Sequence, residues 1–273
     1  TGGATAIAAM AATGDTPVGI QDLQAPNASI WLSGNAFSAL AGSAPSITTG
    51  TLIFDQLDGD VGSTSAPLRT AISNVAGSTA SSLALANNNA LSIANVSDRT
   101  GTRSFDGLST SGSSAITTNT GAITIAGSLT SSGADLTLNS AADLNLQTTA
   151  TLTTSGTGNL NLNAAGTINA VPGSNAELNS SGATSFSAEN LILRGVINTA
   201  GAINTNLRAA DLQLRSYLTP AQISALIEAG IDASDLDGDT ANGALTTAFI
   251  LGGTLSSTAP PRLSLHHDPP PPP

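Results

Sequence analysis

The sequence predicts a mainly β protein: a parallel β-helix (β-solenoid) with a short C-terminal capping helix and a polyproline tail. Three observations predict it. First, segments echo one another. Ser128-Leu-Thr-Ser-Ser-Gly133 returns 23 residues later as Thr151-Leu-Thr-Thr-Ser-Gly156, and Ala134-Asp-Leu-Thr-Leu-Asn139 returns 24 later as Gly158-Asn-Leu-Asn-Leu-Asn163. Such a period belongs to stacked units, each burying its apolar face only against its neighbours. Second, the stretch from Gly121 to Arg215 is written in Ser, Thr, Ala, Gly, Asn and Leu, with apolar residues two apart that share one face of a short strand. Third, 40% of the 273 residues are apolar but only 3% are aromatic. That is enough to collapse, around a thin core of small side chains.

Taken in order, residues 1–115 form an N-terminal β-rich region. Ile30, Leu32, Ile47, Leu52, Ile53 and Phe54 alternate with Ser, Thr and Gly, as short strands between turns do. Leu68, Ile72 and Val75 fall at helical spacing and leave that stretch open, whereas Leu83-Ala-Leu85 and Leu91-Ser-Ile93 alternate as strands. Residues 116–216 are the solenoid. Its doublets Leu136/Leu138, Leu160/Leu162, Leu191/Leu193 and Leu212/Leu214 are expected to point inward in register. Residues 217–259 hold a helical cap and an Asp-rich loop. Thr219-Pro-Ala-Gln222 is a capping-box start, Ile223, Leu226 and Ile227 make one apolar stripe, and Gly230 supplies the stop. Residues 260–273 are a proline-rich tail whose last five prolines favour polyproline II.

Charge narrows the partners. Charged residues make up 9% of the chain, all seven bases are Arg, and 18 acids set the net charge at −11. A nucleic-acid backbone or an anionic membrane would be repelled. Other copies of the chain, cell-surface proteins or glycans are the expected partners. With no cysteine, disulfides and thiolate metal sites are excluded. Ala4 to Ala12 is too short and lacks the basic flank of a signal peptide, and no run reaches the roughly 18 apolar residues of a membrane span. The expectation is therefore a chain without a membrane span of its own.

The Gly121 to Arg215 stretch resembles the repeats of bacterial exoproteins of the filamentous-haemagglutinin kind and of related autotransporter passengers, whose Leu-x-Leu and Asn/Gly-rich coils build right-handed parallel β-helices. The resemblance covers about a third of the chain. Its coil spacing is irregular, and it has no Asn-Pro-Asn-Gly segment of the kind found in that family's secretion domain. The resemblance implies an adhesive or structural rod outside the cell, on a bacterial surface. A self-assembling filament subunit is the alternative.

Candidate sites are few. Two Leu-Asp-Gly-Asp segments set Asp58 and Asp60, and then Asp235, Asp237 and Asp239, on or beside tight turns, where calcium could find its six to eight oxygens. Arg194 and Arg215 follow their doublets at one offset. Stacked on adjacent coils, with Glu189 and Asp211 beside them, they would form a ligand face. Trp31 and Phe37 are the scarce aromatics able to line a groove for the tail, from Pro269 to Pro273, of a neighbouring copy. His266 and His267 lack converging partners. No nucleophile elbow, P-loop or dinucleotide fingerprint occurs, so the chain is expected not to be an enzyme. The acids and arginines near residues 189–215 keep a polysaccharide-acting β-helix as the less favoured alternative.

Overall fold

In the described part of the chain, alternating apolar residues set the strands and turn residues close them. The structure is a computed structural model that describes residues 7–10, 17–40, 42, 44–97, 103–170, 176–207 and 249–257. Within these, residues 7–10, 194–196, 205, 207 and 249–257 are described by their backbone alone. The early strands are β1 (Ile7–Met10), β2 (Val18–Ile20), β3 (Leu23–Ser33), β4 (Phe37–Ala39), β5 (Ile47–Leu57), β6 (Leu68–Thr79), β7 (Leu83–Asn87) and β8 (Leu91–Ile93), followed by β9 (Asn95–Ser97) and β10 (Ser104–Asp106). Shorter ones follow: β11 (Leu108–Thr110), β12 (Ser114–Thr118), β13 (Ile123–Ile125), β14 (Ser128–Ser131), β15 (Leu136–Ser140), β16 (Leu144–Leu146), β17 (Thr151–Thr154), β18 (Leu160–Ala164), β19 (Thr167–Ala170), β20 (Ala176–Ser180) and β21 (Thr184–Ala188). The last are β22 (Asn190–Thr199), β23 (Ile203–Leu207) and β24 (Phe249–Ser257).

Twenty of these strands join one parallel ladder that winds through about 7 turns as a β-solenoid. Each middle coil carries three short strands, so three apolar columns run up the inside. One passes through Leu136 and Leu160, a second through Ile123, Leu144, Ile168 and Leu191, and a third through Leu108, Leu129, Leu152 and Leu178. The residues of all three columns are at most 1% exposed. A strand of three residues has no independent stability, so rung-on-rung pairing and this shared core hold each one.

The three columns correct the expected register. Leu136 does stack on Leu160, but the next rung above Leu160 is Thr184, while Leu191 stacks on Ile168 in another column. The doublet at 191 belongs to a different face, so its distance from 160 is one coil plus one side. The solenoid also does not begin at residue 116. β12 stacks on β7, β13 on β8 and β11 on β6, and the ladder continues back through β5 to β3. Leu68, Ile72 and Val75 lie on a strand, with their helical spacing overridden by pairing on both sides of β6. Among the described residues there is no helix. The expected cap at 219–229, with Ile223, Leu226 and Ile227, Leu212 and Leu214 of the last doublet, and the tail from Pro269 to Pro273 all lie outside them.

The corners explain the small polar residues. Thr79, Thr110, Ser131, Thr154 and Thr199 point inward at one corner and donate to carbonyls of the turns there, such as Thr154 Oγ1 to Gly158 at 2.7 Å and Ser131 Oγ to Gly112 at 2.7 Å. Buried Asn87 is a hub at another corner. Its Oδ1 accepts from Thr70 Oγ1 and Ile72 N, both at 2.9 Å, and its Nδ2 donates to Ile72 O at 3.0 Å. Such groups can be buried because each is paired. Gly77 and Gly107 meet on adjacent rungs, each with positive φ, and a Cβ on either would overlap the neighbouring backbone carbonyl.

Candidate functional site

One excursion from the ladder gathers most of the unusual chemistry. After β8 the chain leaves the coil as the antiparallel hairpin β9–β10, in which Phe105 pairs with Val96, and rejoins the ladder at Leu108. The hairpin lies against β6. On the ladder beneath, Trp31, Ile53 and Ala76 follow one another on successive rungs at positions that alternate with core residues. Ile53 is 1% and Ala76 0% exposed although both alternate with core residues, and the hairpin lies against β6, the strand of Ala76.

At the edge of that cover sit Trp31, Asp55, Arg103 and Phe105. The rings of Trp31 and Phe105 meet edge to face, with centroids 5.7 Å apart and planes at 70°, a favoured aromatic geometry. The Arg103 guanidinium lies 5.8 Å from the Trp31 ring centre and 5.5 Å from that of Phe105, within cation–π range. It also grips Asp55 bidentately: Nη1 donates to Oδ2 at 2.6 Å and Nη2 to Oδ1. The Asp55 side chain is 17% and the Arg103 side chain 46% exposed, so this pair is half in water.

Asp55 gets there through a bulge. Between Phe54 and Leu57 the pairing with β6 slips, and Gln56 takes φ 52°, the one non-glycine positive φ among the described residues. A bulge re-aims the side chains beside it, and this left-handed residue is held by the ladder on either side.

The other expected sites are distributed differently. Phe37 is not a groove residue: it is 1% exposed and stacks on Val61 inside the solenoid, which leaves Trp31 partnered by Phe105 instead. Sequence reading missed Phe105 because nothing local announces that a hairpin 74 residues further on will fold back over β3. Asp58 and Asp60 are both exposed, and Asp60 Oδ1 accepts from the backbone N of Ser82 at 2.9 Å and from Ser81 Oγ. Asp135 caps Asn159 N at 2.7 Å and Asp143 caps Thr167 N at 2.8 Å on later coils, so carboxylates recur as corner caps. No group of three or more potential metal ligands occurs among the described residues. Asp235, Asp237 and Asp239 lie outside them.

At the expected arginine face, the rung that pairs with Arg194 places Gly252 of β24 beside it. Asp211 and Arg215 lie outside the described residues, and Glu189 is exposed at a coil corner. Elsewhere a recess of about 340 Å³ opens between Thr154, Asn179, Ser181, Asn198 and Thr199, where Asn198 Nδ2 donates to Asn179 Oδ1 at 2.9 Å.

Fold and site together define the class as a parallel β-solenoid with a side hairpin. No family model, no curated protein and no solved structure matches the chain. No helix among the described residues is long and apolar enough to cross a membrane.

Proposed function

We propose that the chain is a non-enzymatic structural and adhesive rod of a bacterial cell surface. The observation that carries this reading is the parallel ladder that links β3 to β24 among the described residues, whose outer columns in the middle coils are uncharged and hydrogen-bonded from rung to rung. Asn163 Nδ2 donates to Asn139 Oδ1 at 2.9 Å, Asn139 Nδ2 to Thr117 Oγ1 at 3.2 Å, and Asn161 Nδ2 to Thr137 Oγ1 at 3.4 Å. Such a body is long, narrow and wettable, and it grows by adding coils. The partners that suit it are neutral surfaces.

The alternative of a filament subunit has its own support. Among the described residues β24 pairs only with β22 and β1 only with β3, and an open strand edge templates pairing with another copy. The test is to image purified full-length protein by negative-stain electron microscopy and to measure its retention on bacterial and host-cell surfaces. Single rods retained on a surface fit the adhesin, whereas fibres that lengthen with concentration fit the filament. Release of reducing ends from a polysaccharide would overturn both in favour of an enzyme.

A further inference from the structure

We propose that Trp31, Phe105, Arg103 and Asp55 form a binding platform for a neutral saccharide. The assignment deepens the adhesive reading by naming the ligand class. Covering Ile53 and Ala76 requires only apolar atoms, and any Val or Leu on the hairpin would supply them. The structure instead places a partly exposed indole and a partly exposed phenyl ring at the margin, 5.7 Å apart and inclined at 70°. In a chain with one Trp and five Phe this is a costly placement. Phe37, Phe54 and Phe186 are all at most 2% exposed, so among the described side chains the aromatics left facing solvent converge at this point.

The ligand class follows from shape and charge. The Trp31 and Phe105 rings share the Arg103 guanidinium between them, and the ring surface that stays partly exposed beside it accepts the C–H face of a pyranose, an amphipathic surface like that which places Trp at wet interfaces. The adjoining Asp55–Arg103 pair supplies acceptors and donors for ring hydroxyls, and because Arg103 is neutralised by its bidentate carboxylate the site carries no net positive charge for an anion. A chain at −11 further disfavours acidic glycans. The bulge with Gln56 at φ 52° is the local distortion that sets Asp55 beside Arg103.

Trp31 is the single tryptophan of the chain, so its fluorescence reports this site alone. The experiment titrates full-length protein with hexamers of β-1,4-glucose, β-1,4-N-acetylglucosamine and β-1,4-mannose, and with a sulfated hexamer as the charged comparison. Gel retardation in the matching polysaccharides gives a readout independent of fluorescence. At least one neutral hexamer is expected to shift Trp31 emission saturably. Phe105→Ala and Arg103→Gln are expected to weaken that binding at least tenfold while the β circular dichroism is retained. Trp31→Phe, which keeps a ring in place, should retain measurable gel retardation, and Trp31→Ala should lose it. No response to any neutral sugar, equal binding by folded Trp31→Ala protein, or tighter binding of the sulfated hexamer would each overturn the assignment. Surface retention without a sugar response would remove this site and leave the adhesive reading standing; a sugar response without surface retention would do the reverse.

Discussion

The coils from β11 to β19 and the coils from β3 to β10 solve the same packing problem with different means. The middle coils use strands of three to five residues, a core of Leu and Ile, and Thr, Ser and Asn outside. The early coils use strands of 11 and 12 residues in β3, β5 and β6, fill the core with Phe37 and Phe54, and carry a hairpin over one outer face. A coil that matches its neighbours needs no decoration. Where strand length and loop length change from coil to coil, outward positions such as Ile53 become apolar and need a cover. That irregular region is also where charge, aromatics and backbone strain collect.

The sharpest way to break the regular half is Leu160→Asp. Leu160 is 0% exposed between Leu136 and Thr184, so an unpaired carboxylate there should cost several kcal/mol, about 4 or more, and abolish cooperative unfolding near room temperature. Circular dichroism during a urea titration would show it. At the junction of the halves, Asn87→Leu leaves the Ile72 backbone groups and the Thr70 hydroxyl without their partner. A loss of about 3 kcal/mol is expected in the same titration, and a neutral result would mean that this hub is dispensable.

In the early coils, Arg103→Gln should cost no more than about 1 kcal/mol, since the ion pair is half in water and solvent screens it. Its clearer effect is on the hairpin. Amide exchange at Phe105 and Val96 should accelerate while exchange at Leu136 and Leu160 stays unchanged, because the coils do not need the cover to stack. The smallest effect belongs to the outer amide column: Asn161→Ser should move the urea midpoint by no more than about 0.5 kcal/mol in stability, as a partly exposed hydrogen bond is exchanged for one to water.

Legibility in the sequence followed the same divide. Leu136, Leu138, Leu160 and Leu162 announce themselves, because inward and outward positions alternate within each strand and the coil length repeats. What the period conceals is that one coil holds three strands, so a doublet pattern alone puts Leu191 in the column of Leu160, whereas it stacks on Ile168. The Asp-Gly-Asp turn at Asp60 has the oxygens of a cation ligand, and what the sequence does not announce is that Asp60 Oδ1 caps the backbone of the next coil at Ser82. Of the candidate site only Trp31 was visible, since its partners Asp55, Arg103 and Phe105 arrive by a bulge and by a hairpin that no local pattern foretells. Phe37 misled for the opposite reason: a scarce aromatic serves the core as readily as a surface.

The parallel register itself is the most direct thing to measure, and the absence of cysteine in the chain makes it simple. Asn139 and Asn163 are aligned partners on adjacent rungs, pointing outward about 4.8 Å apart at their Cα atoms, within disulfide range. The double variant Asn139→Cys with Asn163→Cys should oxidise to an intramolecular disulfide in the folded protein. Thr137→Cys with Asn163→Cys, displaced by two residues along the strand to roughly 8 Å, should remain free thiol. Equal bridging of both pairs, or bridging of the displaced pair alone, would contradict the stacked parallel solenoid.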